Sequence, residues 1–510
     1  MDAIQVGFLC LLPPLIAIGL ALLTREVIFS LMVGIFSGTV IYAFQVGGGV
    51  PEAVSNTFVI MANEFSASMI IFLCLLGALV AVITMAGGSR AYGNWAARKV
   101  KSRVGAQLAT CALGILIFID DYFNCLTVGT VMKPVTDKSK ISRAKLSYLI
   151  DSTAAPVCII APISSWAASV ISTLPDDSGD GGMHTFLATI PFNLYAILTI
   201  VMVIILSVTR LDFGPMEKYE LEASKQQGEI QNDSTAEKDE FSDLKISEKG
   251  KVYDLVIPIL ALIIFSVLSM LYTGGFFEGG ISLFDAFGAT DPNLSLAMGG
   301  FAALVVAAIM FLPRRIMTFK NFMSGITVGV KSMVPACMIL TLAWTLKGVC
   351  NSLSVDSYVA GIVSGSNLPV AFLPAIIFVV AAFLSFSTGT AWGTFGILIP
   401  IVVSICNEIS PEILSIALAA TLAGSVFGDH CSPISDTTIL SSTGAGCDHM
   451  VHVSTQISYA CTVAVCCFVG YIVAGISKNV LITLLVSAAL LAVLMMFFHR
   501  RSLKAYITNQ

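Results

Sequence analysis

Long apolar runs recur along the whole chain, separated by short polar stretches. The runs at 68–86 and 479–498 reach about 20 residues, the length that a helix needs to cross a bilayer. The first run, at 4–23, has neither a positively charged region before it nor a small-residue cleavage site, so we interpret it as a span and not as a signal peptide. The pattern predicts an all-α polytopic membrane protein, with the lipid bilayer as its surroundings.

The composition agrees with this prediction. Of the 510 residues, 56% are hydrophobic and only 12% are charged. Soluble domains carry about 25% charged residues, so the chain is excluded from that class. The 13 cysteines lie mostly within apolar runs and lack the loop spacing of a disulfide framework or a zinc module. We expect no cofactor and no nucleic-acid partner.

A single strongly hydrophilic segment divides the chain into near-equal halves. This segment, at 211–252, has a formal net charge equal to that of the whole chain, which is −5. A segment this polar cannot bury enough apolar surface to fold alone, so we interpret it as a mobile cytosolic linker. The predicted divisions are repeat 1 at 1–210, the linker at 211–252, repeat 2 at 253–476, and a final transmembrane helix with a basic cytosolic tail at 477–510.

Basic loops orient the predicted spans, because cytoplasmic loops of membrane proteins are enriched in lysine and arginine. Four such loops occur, at 89–103, 133–145, 313–320 and 499–504. The first two are separated only by 104–132, which is about one span's length. A re-entrant hairpin that enters and leaves on the cytoplasmic side keeps both loops inside, with its tip near 118–124.

Polar residues and prolines interrupt later apolar segments. The segment 146–172 contains Pro156 and Pro162, which remove helical N–H groups and predict a broken helix. In the second half, 369–406 has a hydroxyl-rich centre that predicts another hairpin, and Pro433 interrupts the span that follows. Counting crossings from the basic loops gives the halves opposite orientations, with about 11 spans and two hairpins. We therefore predict two inverted-topology repeats, each with a re-entrant hairpin and a broken transmembrane helix.

Acidic residues at these interruptions are the candidate ion ligands, because an ionised carboxylate at membrane depth is costly unless it is paired or faces water. They are Asp120, Asp121, Asp151, Asp429 and Asp436. Each of them has an alternative interpretation as the cap of an interrupted helix. His430 lies next to Asp429 and either exchanges protons or only donates a hydrogen bond.

Carboxylates, hydroxyls and free carbonyls together suit a hard cation such as Na⁺, which we place in the region of Asp429 and Asp151. The candidate neutral ligands are Asn124, Ser152, Thr153, Ser432, Ser435 and Thr437; each can instead bond to a helix carbonyl. The second hairpin offers Ser387, Thr388 and Thr390 for a solute, although close helix packing explains its small residues equally well. We predict no zinc site, because the residues at 429–431 do not offer four convergent ligands.

The motifs at 428–449 ("GDHCSPISDTTILSSTGAGCDH"), 386–401 and 118–138 resemble those of the NhaC family of sodium/proton antiporters. The resemblance implies a bacterial inner-membrane carrier of Na⁺ and H⁺ with its ion site around the broken helices. Similar proteins are described as malate/lactate exchangers or amino-acid carriers, and relatives in the wider superfamily often form homodimers. The substrate therefore stays open at this point.

We expect a secondary active transporter that performs Na⁺/H⁺ antiport by alternating access. The alternative is a Na⁺- or H⁺-coupled transporter of an amino acid or a small carboxylate. A channel requires a continuous selective pore, which two interrupted helices do not favour. The chain has no G-x-S-x-G, H-E-x-x-H or G-x-x-x-x-G-K-[ST] motif, so we expect neither an enzyme nor an ATP-driven pump.

Overall fold

The computed structural model describes most of the chain as helices joined by short connections. The described residues are 3–24, 26–100, 102–118, 121–162, 164–174, 182–225, 246–280, 286, 289–355, 357–358, 361 and 370–508. Asp120, a candidate ligand, lies outside them. All further structural statements concern the described part of the chain.

Thirteen helices precede residue 226. They are α1 (Leu12–Thr24), α2 (Val27–Gln45), α3 (Val50–Glu64), α4 (Ala67–Met85), α5 (Gly88–Lys99), α6 (Arg103–Leu116), α7 (Asp121–Lys138), α8 (Arg143–Asp151), α9 (Ala155–Cys158), α10 (Ser165–Thr173), α11 (Met183–Thr189), α12 (Leu194–Thr209) and α13 (Pro215–Lys225). The described helices after residue 252 are α14 (Tyr253–Thr273), α15 (Pro292–Phe311), α16 (Phe319–Ser332), α17 (Val334–Ser352), α18 (Leu373–Thr388), α19 (Ala391–Ile409), α20 (Leu414–Cys431), α21 (Asp436–Ala445), α22 (His449–Ser477) and α23 (Val480–Thr508).

Nine helical segments of the described chain are long and apolar enough to cross a membrane. A tenth is added if the pair His184–Phe192 and Leu194–Thr209, bent by 46°, forms one span. Shorter apolar helices occur at Gly7–Ala21, Arg103–Leu116 and Ala391–Asn407. The predicted fold class, an all-α polytopic membrane protein, is confirmed.

Two helix pairs occupy the positions of the predicted hairpins: α6 with α7, and α18 with α19. We call them hairpin one and hairpin two. Hairpin two turns at Gly389, whose φ of 68° is in the left-handed region that favours glycine. A Cβ atom at Gly389 would lie 2.5 Å from the carbonyl oxygen of Ile434, so a side chain there would displace the tip from the helix break it contacts.

Both predicted helix breaks are present. Residues 152–154, between α8 and α9, form break one, and Pro156 occupies the first turn after it. Residues 432–435, between α20 and α21, form break two. Ser435 caps α21 by accepting a hydrogen bond from the backbone N–H of Thr438 at 3.3 Å. The side chain of the neighbouring Asp436 is therefore available for other contacts.

The second arm of each hairpin packs on the broken helix of the opposite half. Arm α7 meets α21 so closely that a Cβ at Gly129 would lie 2.4 Å from the carbonyl carbon of Gly444. Arm α19 meets α10, where the rings of Trp392 and Trp166 lie 5.0 Å apart. This reciprocal crossing is the arrangement that two inverted repeats produce when their broken helices meet in the interior.

The beginning of the hydrophilic segment is packed, in contrast to the mobile connector expected there. Asp212 accepts hydrogen bonds from the buried Lys145 Nζ at 2.6 Å and from the Tyr459 hydroxyl at 2.7 Å. Glu220, on α13, accepts one from the backbone N–H of Ser142 at 2.8 Å. The acidic residues there have buried donors as partners, a relation that composition alone does not reveal. The domain boundaries stay a prediction.

Candidate functional site

Asp151 is the last residue of α8 and is fully buried at break one. Hydroxyl groups of α21 donate to both of its oxygens: Ser441 Oγ at 3.1 Å and Thr438 Oγ1 at 3.5 Å. Gln456 Nε2, on α22, donates at 2.5 Å, and His452 Nε2 lies 3.3 Å from the same oxygen. This carboxylate of repeat 1 is thus held by side chains of repeat 2.

The amide of Gln456 also fixes the neighbouring histidine. Its Nε2 atom donates a second hydrogen bond, 2.8 Å long, to the carbonyl oxygen of His430. Both of these neighbours accept, so the amide nitrogen must face them. The His430 ring lies 3.1 Å from the Tyr195 hydroxyl through Nδ1 and 3.9 Å from Asp151 through Nε2. The His430 ring is therefore hydrogen-bonded to Tyr195 and lies on the Asp151 side of break two.

Asp429 lies in the last turn of α20 and is 3% exposed. Its Oδ2 atom accepts a hydrogen bond from Thr437 Oγ1 at 2.9 Å, and Thr437 in turn lies 3.1 Å from Ser435 Oγ. The Oδ1 atom is buried and has no hydrogen-bond partner among the described residues. A buried carboxylate oxygen without a donor is costly and is therefore available to a cation or a proton.

A third carboxylate, Asp436, begins α21. Its Oδ2 atom accepts from the Tyr122 hydroxyl at 2.9 Å and lies 3.4 Å from Trp344 Nε1. The Lys347 ammonium attracts it electrostatically. Asp121, buried beside Tyr122 at the start of α7, completes the acidic neighbourhood, since the Asp121, Asp429 and Asp436 charges all act on the Tyr122 hydroxyl.

Several predicted neutral ligands bond to backbone groups. Asn124 Nδ2 donates to the carbonyl oxygens of Gly114 and Ile117, both at 2.7 Å, and of Thr153 at 3.2 Å, which ties hairpin one to break one. Thr153 donates to Leu149 O at 2.8 Å. Ser432 donates to Phe386 O at 2.8 Å. Thr388, a residue of the predicted solute site, donates to Leu384 O at 2.9 Å. Ser152 is buried within break one. Of the predicted hydroxyls, Thr437 contacts a candidate carboxylate directly.

Residues that the sequence analysis did not single out supply much of this arrangement. Thr438 and Ser441 lie three residues apart on α21, and His452 and Gln456 lie four apart on α22, so each pair shares a helix face. This spacing is the feature of the sequence from which two polar helix faces could have been predicted. Only contacts between the two halves reveal that both faces meet Asp151.

In the described residues, no group of three His, Cys, Asp or Glu side chains is placed to hold a metal ion. His449 contacts break two and α21, with Nε2 2.7 Å from Pro433 O and Nδ1 3.2 Å from Ser442 Oγ. The buried carboxylates and hydroxyls can bind a proton or a hard monovalent cation, because such cations select oxygen ligands.

These features define a class of protein: a multi-pass membrane protein with inverted repeats, whose buried carboxylates lie at broken helices, which is the plan of a secondary transporter. The model of the Na⁺/H⁺ antiporter family matches residues 178–476, and the chain belongs to that family. The resemblance to NhaC-type antiporters is therefore confirmed. The proteins it is similar to are transporters and not enzymes where they are named by activity.

The relatives differ widely in similarity. An uncharacterized protein of Haemophilus influenzae is 39% identical over 96% of this chain and 95% of its own length. The malate-2H⁺/Na⁺-lactate antiporter of Bacillus subtilis is 26% identical over 37% of this chain and 44% of that protein. An uncharacterized Na⁺/H⁺ antiporter of H. influenzae is 28% identical over 27% of this chain and 29% of its own.

Two solved transporter structures are also similar at low identity. MtrF of Neisseria gonorrhoeae, described as one of a class of antimetabolite efflux pumps, is 10% identical with a TM-score of 0.32, over 83% of this chain and 84% of that chain. The YdaH transporter of Alcanivorax borkumensis, described as having an unusual topology, is 12% identical with a TM-score of 0.33, over 83% and 89%.

Proposed function

We propose that this transporter exchanges Na⁺ for H⁺, with Asp429 as the carboxylate that binds them in turn. The observation that carries the proposal is the Asp429 side chain, which is 3% exposed and has one oxygen without a hydrogen-bond partner in the described residues. Coulombic repulsion from Asp151 and Asp436 also acts on it. Binding of either cation relieves both costs.

The mechanism follows from competition at one oxygen. A proton on Asp429 removes the charge that Na⁺ requires, and a bound Na⁺ excludes the proton. If only the loaded site changes its exposure between the two sides, the gradient of one ion drives the other against its own. Asp151 contributes a fixed negative charge beside the site, because donors from α21 and α22 already hold its oxygens.

A second candidate function is Na⁺-coupled exchange of an organic carboxylate. The Bacillus subtilis relative carries such a name, although it matches only 37% of this chain. The observation that favours it here is Lys347, a cationic side chain within a candidate span, one helical turn after Trp344, whose indole nitrogen lies 3.4 Å from Asp436. Positive charge in a membrane interior attracts anions as well as the local carboxylate.

The test is ion exchange in proteoliposomes that contain a pH-sensitive dye and no organic solute. A Na⁺ gradient is expected to change the internal pH with the wild-type protein and with the control Glu412→Gln, whose carboxylate is exposed and pairs with Lys478 at the surface. Asp429→Asn is expected to reduce the exchange to the rate of protein-free liposomes. A wild-type protein that is folded and inserted but inactive would remove Na⁺/H⁺ antiport as the function.

A further inference from the structure

Helix α22 is unbroken over His449–Ser477 and packs against two interrupted helices, α8 and α20. Its buried face carries His452 and Gln456, which are four residues apart and fully buried. A buried amide is costly unless its polar atoms are hydrogen-bonded. Gln456 therefore requires partners inside the protein, and its nitrogen atom has one in each half of the chain.

The Gln456 Nε2 atom donates to one oxygen at each break. The first is Asp151 Oδ2, at 2.5 Å, on the last residue of α8. The second is the carbonyl oxygen of His430, at 2.8 Å, in the last turn of α20. The last carbonyl groups of a helix have no partner within the helix, and Gln456 supplies one for His430. A single amide group thus joins break one to break two.

This contact bears on the position of Asp429, which precedes His430 in the same helical turn. The carbonyl oxygen of Asp429 accepts the backbone N–H of Ser432 at 3.0 Å, which holds the turn to break two. The bond from Gln456 holds the same turn to α22. Without that bond the turn is free to shift, and the Asp429 carboxylate moves with it. A displacement of about 1 Å is enough to weaken a binding site.

A neutral amide suits this position better than a cationic side chain. A lysine or arginine could also donate to Asp151 and to the carbonyl group, but its charge would cancel the negative field beside Asp429. An amide donates two hydrogen bonds and leaves the Asp151 charge to favour cation binding. The Gln456 Oε1 atom is buried and has no hydrogen-bond partner in the described residues. This unpaired oxygen indicates that the two acceptors determine how the amide is oriented.

We propose that Gln456 is a positioning residue that joins the two broken helices, fixes Asp429 at the end of α20 and thereby sets the preference among monovalent cations. The inference rests on the proposed function for the role of Asp429. Selectivity between similar cations depends on the size and the flexibility of the ligand set. A fixed carboxylate suits one ionic radius, whereas a mobile one can follow either Na⁺ or the smaller Li⁺.

The experiment measures initial rates of cation-driven proton movement in proteoliposomes over a series of Na⁺ and Li⁺ concentrations. Gln456→Met keeps the length of the side chain and removes both donors. We expect its KM for Na⁺ to rise about tenfold, as for the loss of a hydrogen bond to a charged group, and the ratio of its KM values for Li⁺ and Na⁺ to approach one. Gln456→Asn keeps the amide but is one methylene shorter, and it is expected to be intermediate. The matched control is Gln107→Met, at another buried glutamine, on α6, which is expected to keep the wild-type ratio.

Cation binding to the purified variants is followed in parallel by the rise in melting temperature with Na⁺ or Li⁺, which does not require exchange. A changed cation preference in Gln456→Met and Gln456→Asn, by either measurement, supports the positioning role. Variants with a lower melting temperature or maximal rate but with wild-type KM values and preference would overturn it, because the amide would then only stabilise the fold. If wild type binds Na⁺ without exchanging it for protons, the proposed antiport fails, and the thermal measurement still decides the role of Gln456. A wild-type protein that responds to neither cation overturns both proposals.

Discussion

Asp151 and Asp429 are both buried carboxylates at the ends of interrupted helices, but their surroundings differ. Asp151 receives hydrogen bonds from Ser441 at 3.1 Å and Gln456 at 2.5 Å, and His452 is 3.3 Å away. Asp429 receives one from Thr437 at 2.9 Å, with the Ser435 hydroxyl also near the carboxylate, and its Oδ1 atom has no hydrogen-bond partner in the described residues. Asp151 is held by hydrogen bonds at the interface between the two halves of the chain. Asp429 has an oxygen atom that is still able to accept a proton or bind a cation.

This difference in hydrogen bonding indicates that the two aspartates have different roles. A carboxylate with several donors is stabilised as an anion and helps to hold α8 against α21 and α22, so its charge does not need to change. A carboxylate with one oxygen left without a donor has part of its desolvation cost uncompensated, and a bound cation reduces that cost. We infer that Asp151 has mainly an architectural and electrostatic role and that Asp429 has the exchange role.

The largest expected effect in this comparison concerns stability. Asp151→Asn places an amide N–H₂ group among donors, so at least one hydrogen bond is lost, and we expect a loss of about 1–3 kcal/mol in the free energy of unfolding. Asp429→Asn removes a poorly compensated charge and is expected to leave the melting temperature unchanged or raised. Thermal unfolding of the purified variants in one lipid–detergent mixture measures both. Equal destabilisation by the two substitutions would show that the hydrogen-bond contrast has no energetic consequence.

The broken helices and hairpins were predictable because their signals are local. Pro156 and Pro433 stand beside acids inside apolar segments, and the closely spaced basic loops required the first hairpin. The partners of Asp151 were not predictable in this way, since Gln456 is 305 residues away in the chain. A glutamine in an apolar helix is polar at membrane depth but does not indicate which carboxylate it meets.

Two other expectations depended on contacts that sequence patterns do not encode. Composition described 211–252 as a free linker, but buried Lys145 holds Asp212 at its start, so its polarity reflects pairing as well as solvation. Adjacency in sequence linked His430 to Asp429, whereas helix geometry turns consecutive side chains about 100° apart and directs the imidazole to Tyr195. Lys347 was overlooked because its significance depends on Asp436, which lies far along the chain on a helix that contacts α17.

A smaller expected effect is the stabilisation that Na⁺ itself provides. At a Na⁺ concentration ten times the dissociation constant, binding to the folded state adds about 1.4 kcal/mol to the free energy of unfolding. We expect NaCl to raise the melting temperature of wild type and Glu412→Gln, and to have no such effect on Asp429→Asn. Choline chloride at the same ionic strength controls for screening. An unreduced Na⁺ effect in Asp429→Asn would assign the cation to another carboxylate and weaken the proposed division of roles.

The smallest expected effect concerns Thr437, which donates the hydrogen bond to Asp429 at 2.9 Å. Thr437→Val keeps the side-chain shape but removes a donor and a neutral oxygen ligand, so we expect the KM for Na⁺ to rise about fivefold, which corresponds to about 1 kcal/mol. The control is Thr443→Val on the same helix, because the Thr443 hydroxyl bonds to Ile439 O at 2.8 Å. Initial rates of Na⁺-driven proton movement give both values.

The direction of the Thr437 effect also tests how the oxygen is used. If the hydroxyl oxygen coordinates Na⁺, its loss weakens Na⁺ binding more than proton binding, and the KM rises at every pH. If it only donates to the anionic carboxylate, its loss favours the protonated form, and the rise in KM becomes smaller as the pH increases and protons no longer compete. Equal KM values for the Thr437 and Thr443 variants would show that the contact to Asp429 contributes nothing to cation binding.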